Sequence, residues 1–151
     1  MKSQMIVVML LAGLASSLWA QLEIRDASRE PLENYTESSY WIGDEERPIY
    51  LSPEILMSSA DVEDAYVSKQ GDHYAVNLEF FDPAAQRFRQ ITAARIRQEL
   101  VFLVDGKVFT VATVMNPLSK RAMIVGTLTR SEAEQLARTI LNRPAASELS
   151  Q

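Results

Sequence analysis

A hydrolytic triad needs a base, and this chain offers a single histidine, His73, and no cysteine. His73 follows Asp72 at the start of an alternating segment, with no nucleophile or ligand partner beside it, so it reads as a surface residue. Without cysteine there is no disulfide, thiolate metal site or thiol nucleophile, and one histidine cannot build a His/Cys metal cluster. Carboxylates are common: Asp61 with Glu63, Glu63 with Asp64, and the run Asp44-Glu45-Glu46. Such groups usually sit on solvated surfaces, although they leave a carboxylate-based hydrolase open as an alternative. Arg87, Arg95 and Arg97 crowd one stretch, which reads as an anion site or, more commonly, a solvated helix face. No glycine-rich loop is spaced to cradle a phosphate. The expectation is a chain with no catalytic residue, no cofactor and no metal.

What remains is the chemistry of contact. In "LVFLVDGKVFTVATV", Leu100 to Val114, two apolar runs flank Asp105-Gly106. Both central residues of a type I′ turn need positive φ, which Asp tolerates and Gly accepts freely. A two-residue loop pairs Val104 with Lys107, Leu103 with Val108 and Phe102 with Phe109. One face then carries Leu100, Phe102, Val104, Phe109 and Val111. The other carries Val101, Leu103, Val108, Ala112 and Val114. A ribbon with one wet face alternates apolar and polar residues, and this one does not. The second face is therefore expected to be covered by, or to wait for, another surface. Val101, Leu103, Val108, Thr110 and Ala112 are the candidate protein-binding residues. The alternatives are that Trp41, Ile42 and the N-terminal segment close this face, that a homodimer does, or that the chain carries a small ligand.

These residues need elements to hold them. Met5 to Leu18 is an apolar run after Lys2, followed by "WAQ" and a charged stretch, the pattern of a signal peptide over residues 1–20. The run is shorter than the ~20 residues of a spanning helix. The expectation is export, with no stable membrane insertion after cleavage, the alternative being a membrane anchor if the segment is not cleaved. Residues 21–47 read as a polar approach segment in which Tyr35, Tyr40, Trp41 and Ile42 form a lid. Next come an extended stretch broken by Pro53, a short helix in "SSADVEDAYVSK" with Val62, Ala65 and Tyr66 inward, and a strand over 73–80. Asp82-Pro83 is expected to cap a helix to about Gln98, with Phe88, Ile91, Thr92 and Ile96 inward. "AMIVG" is a strand. Thr129 and Glu132 have capping-box spacing before a helix with Ala133, Leu136, Ala137, Ile140 and Leu141 inward, and with a Glu134–Arg138 pair. Residues 144–151 read as a frayed tail. The net charge of −5 argues against nucleic acid and anionic membrane surfaces.

The fold class expected is α+β: a four- to five-stranded, mostly antiparallel sheet with two to three helices mainly on one face. Two stretches, 76–114 and 121–141, resemble the head part of the first periplasmic domain of the SecD/SecDF protein-export family. The likeness lies in Phe88, Ile91-Thr92, Leu100, the Leu103-to-Lys107 hairpin, Arg121 to Gly126, and Glu132-Ala133. It departs where the family has a Gly-rich turn, here Leu118-Ser119-Lys120, and a helix-end Gly, here Arg97-Gln98. The resemblance implies a domain over residues 48–143, a periplasmic address, and association with translocating polypeptide or the Sec export machinery. It brings no catalytic residues.

Overall fold

The computed structural model describes residues 22–142. The signal peptide expected over 1–20 and the tail over 144–151 lie outside the described residues. The chain forms strands β1 (Leu22–Ser28), β2 (Thr36–Ile42), β3 (Glu45–Leu51) and β4 (Met57–Ser58), then a 3-10 turn (Ser59–Asp61). Strands β5 (Val62–Gln70) and β6 (His73–Phe80) follow, then helix α1 (Asp82–Ala93). Strands β7 (Glu99–Val104), β8 (Lys107–Thr113) and β9 (Arg121–Leu128) lead to helix α2 (Arg130–Leu141).

The α+β class holds, but the expected single sheet is two. The larger runs β2-β3-β1-β7-β8, with β4 also pairing β1, and the smaller runs β5-β6-β9. Every pairing is antiparallel. The larger sheet curls until β2 contacts β8, almost closing on itself, while α2 lies on β5, β6 and β9.

The polar approach segment expected before residue 48 is instead structural. In β1 the order Leu22-Glu23-Ile24-Arg25 alternates, and at period two the apolar residues share one face. Leu22 and Ile24 are fully buried. Glu23 and Arg25 pair with each other at 2.6 Å on the opposite face. β1 runs beside β7 from Leu22↔Val104 to Ala27↔Glu99, and so occupies the middle of the sheet. It joins β3 over two residue pairs, Ala27↔Leu51 and Ser28↔Tyr50, extended by the Ser52 N–H donating to Asp26 O at 3.0 Å.

The helix expected in "SSADVEDAYVSK" is the 3-10 turn followed by β5. Ser58 starts the turn, and its backbone N–H donates to Asp61 Oδ2 at 2.9 Å. Beyond it, β5 pairs β6 with a bulge between Val62 and Asp64. The extra residue moves the inward phase, so Val62 and Ala65 are buried while Tyr66 is exposed.

In α1 the cap is Phe81, without a side-chain cap bond, and Asp82 lies inside the helix. Asp82 Oδ1 accepts instead from Lys120 Nζ at 3.1 Å. The helix stops at Ala93 rather than near Gln98, because Arg97 turns left-handed (φ 70°) and its N–H donates to Val114 O at 2.6 Å. Phe88 and Thr92 are buried as expected, but Ile96 is exposed. Arg95 holds Asp26. The capping box of α2 is present: Glu132 N–H donates to Thr129 Oγ1 at 3.1 Å, and Thr129 N–H to Glu132 Oε1 at 3.0 Å. Glu134 pairs with Arg130 at 3.1 Å, not with Arg138, which donates to Gln135.

Two apolar clusters follow from this layout. The larger joins both sheets and both helices through residues such as Ile24, Leu78, Phe80, Phe88, Phe102 and Ile140. The Phe80 and Phe88 rings stand 5.0 Å apart and tilted. Each is fully buried, and such burial stabilises by about 1.5–3 kcal/mol. The smaller cluster lies inside the curl of the larger sheet.

Candidate functional site

The β7–β8 turn has the backbone its residues require, with φ of 55° at Asp105 and 81° at Gly106. Val104 pairs Lys107 and Leu103 pairs Val108, as expected. The register then slips. Phe102 opposes Thr110, Val101 opposes Val111, and Leu100 opposes Ala112. Phe109 is the extra residue of a bulge, and a one-residue slip exchanges faces beyond it. Val111 therefore joins Val101 and Leu103, while Thr110 and Ala112 pass to the face of Phe102 and Leu100.

The second apolar face is covered within the monomer. Tyr40, Ile49 and Leu51 of the β2–β3 hairpin pack on Val101 and Leu103, with Ala27, Val108 and Val111 at the margin. Val101 is 0% exposed and Leu103 4%, so neither meets a partner from solvent. Thr110 is buried too; Val108 and Ala112 are half-buried. Of the expected lid residues, Tyr40 does close the face, whereas Trp41 and Ile42 project past it, 62% and 49% exposed.

Their projection makes one wall of a groove of about 510 Å³ at the junction of β2, β8 and β9. Val108, Phe109, Val111, Val125 and Leu128 supply further apolar lining, and Thr110 also borders the groove. Val125 is 47% exposed. The outer edge of β8 meets β9 through one side chain: Thr110 Oγ1 donates to Val125 O at 2.7 Å and accepts from Val125 N–H at 3.1 Å. Sequence reasoning named Trp41 and Ile42 but missed Phe109, Val111 and Val125 as groove residues. The bulge that turns Phe109 and Val111 leaves no mark in the order of apolar residues.

Charge frames the groove. Arg29 Nε donates to Glu99 Oε1 at 2.6 Å and a second nitrogen donates to the Tyr40 hydroxyl. The Glu99 hydrogen bond is the main cause that raises the Arg29 pKa above its ordinary value. Lys107 Nζ sits 5.2 Å from the Phe109 ring centroid, a cation–π distance. Glu132, at the start of α2, is held below its ordinary pKa, chiefly by the Thr129 backbone N–H and then by the Thr129 hydroxyl. His73 is exposed on the β5–β6 hairpin. Among the described residues no cluster of three His, Asp or Glu side chains is placed to hold a metal ion. Among them, too, no helix is long and apolar enough to cross a membrane.

Two antiparallel sheets on a shared core, one curled nearly closed, with an apolar groove at their junction, define a small α+β domain. Residues 33–143 match the family model described as SecDF, P1 head subdomain, and the chain belongs to that family. The match takes in β2 and β3. The chain is 32% identical over 84 residues to the SecD translocase subunit of Acidaminococcus fermentans, covering 54% of this chain and 20% of that protein. It is 28% identical over 93 residues to SecD of Elusimicrobium minutum, covering 60% of this chain and again 20% of the relative. It thus spans about a fifth of the length of these relatives. Among solved structures, SecDF in its super-membrane-facing form superimposes with a TM-score of 0.64 at 22% identity, over 81% of this chain and 18% of that one. SecDF described as a membrane component that enhances protein export gives 0.64 at 20% identity, over 86% and 66%. These likenesses establish the fold.

Proposed function

We propose that this chain is a non-enzymatic, exported domain that binds apolar segments of polypeptide and serves protein export. The observation that carries the reading is the groove at the β2–β8–β9 junction, where Trp41, Ile42 and Val125 stay exposed on a head-subdomain fold. Aromatic and aliphatic side chains around a concave surface are what an unfolded segment can bury against, and neighbouring strand edges offer main-chain partners. The SecD and SecDF relatives support the export setting and a periplasmic address. Of the expected Val101, Leu103, Val108, Thr110 and Ala112, the first two are sealed while Val108 and Thr110 line the groove, on whose rim the binding surface is centred.

Photo-crosslinking in cells tests the reading. A probe at Trp41 or Val125 is expected to capture exported polypeptides before they fold, and a probe at Val101 to capture nothing. No adduct from the first two positions, or adducts only with a second copy of the chain, overturns it. In purified protein, Trp41→Ser is expected to weaken binding of an unfolded polypeptide at least fivefold. Its unfolding free energy should stay within about 0.5 kcal/mol of wild type, since the side chain is largely solvated.

A further inference from the structure

A second concavity, of about 510 Å³, lies between the 26–35 stretch and the turn joining α1 to β7. Its lining holds three guanidinium groups, Arg29, Arg95 and Arg97, and two carboxylates, Asp26 and Glu99. Asp26 is engaged through both oxygens, and Glu99 through one, its Oε2 being buried without a hydrogen-bond partner. Asp26 takes two nitrogens of Arg95, at 2.7 and 3.1 Å. Glu99 takes Arg29 at 2.6 Å. Arg97 is left over: it is exposed and has no ion pair or side-chain hydrogen bond among the described residues.

Its backbone is as unusual as its charge. Arg97 has φ 70°, one of three described non-glycine residues with positive φ. Its N–H to Val114 O, at 2.6 Å, and the Val114 N–H to Gln98 O, at 2.9 Å, fix the turn there. A side chain is strained in this conformation, and glycine is not. A residue held in a sparsely populated conformation where glycine is easier points to a use for its side chain. Here the strain sets an uncompensated guanidinium at the cleft, beside Leu32, which is 51% exposed. Guanidinium recognises carboxylate through paired, charge-assisted hydrogen bonds.

We propose that this cleft binds a carboxylate carried by a polypeptide. Arg97 supplies the guanidinium and Leu32 an apolar flank, so the domain prefers apolar segments that contain an acidic group. The proposal rests on the polypeptide-binding reading above and adds a preference and a second contact to it.

Fluorescence anisotropy with three versions of one extended apolar peptide tests it at low salt. One has an internal Glu and an amidated end, the second Gln in its place and an amidated end, the third that Gln and a free C-terminal carboxylate. The wild-type domain is expected to bind the Glu peptide about tenfold more tightly than the amidated Gln peptide, a usual size for one charge-assisted pair. A gain confined to the third peptide assigns the carboxylate to chain ends and equally supports the site. Arg97→Gln and Arg97→Gly should bring the ratio to about one, Arg97→Lys should retain part of it, and Arg97→Gly should melt above wild type. Equal binding of all three peptides overturns this proposal and leaves the polypeptide-binding reading standing. So does a preference that survives Arg97→Gln. Failure of every peptide to bind overturns both.

Discussion

Thr110 bonds the two sheets to each other with one hydroxyl, giving a proton to Val125 O and taking one from Val125 N–H. A single side chain thus does at this point what a strand partner's backbone does elsewhere. Thr110→Val keeps the shape and removes both bonds beside a buried position, and it is expected to cost about 1–3 kcal/mol in urea unfolding. Thr110→Ser keeps the hydroxyl and should recover most of the loss, which separates the bonds from the packing. Glu132 works in the same local way. Its folded pKa lies below the ordinary 4.5, so its contribution is present above that value and fades as pH falls through the folded one. Glutamine keeps the capping-box acceptor without the charge. Glu132→Gln is therefore expected to lose less stability than wild type as pH is lowered below 4.5, measured by thermal unfolding across pH.

Strands and helices were unequally legible, and the reasons are geometric. The turn at Asp105-Gly106 and the Thr129–Glu132 box are decided by local chemistry, and both stand where their residue types put them. From Val76 to Phe80 strand β6 alternates, because it is paired on both sides and covered on one face, while Ala75, at the irregularity in its pairing with β9, is buried as well. β5 misled because its bulge spaces two inward residues, Val62 and Ala65, three apart, which is also the step of a helix face. The slip at Phe109 misled in the same way, reassigning Thr110, Val111 and Ala112. β1 was readable, since Leu22-Glu23-Ile24-Arg25 alternates, but its charged residues hid a strand whose outer face is ionic. A fragment of residues 48–143, the limits expected from the sequence, lacks β1, β2 and the first three residues of β3. It exposes Val101 and Leu103 and opens the larger cluster at Leu22 and Ile24. Losing buried leucine- and isoleucine-sized groups costs about 2–5 kcal/mol each, so this fragment is expected to show no cooperative unfolding by circular dichroism, whereas residues 22–142 do.

At the scale of the molecule, the two clusters divide the stability unequally. The larger takes side chains from both sheets and both helices. The smaller depends on three residues of the β2–β3 hairpin, Tyr40, Ile49 and Leu51, lying over β7. Along the backbone that hairpin joins the rest through two paired positions on β1 and the Ser52 bond, while β1 meets β7 over six. In deuterated water, then, this protein should not label uniformly. The amides of Ser38 to Tyr40 are expected to take up deuterium well before those of Phe102 and Val104, the hairpin lifting like a page bound by a few stitches while the spine stays shut. Mass-resolved exchange reads that order directly, and simultaneous labelling of both regions would mean the page and the spine come apart only together.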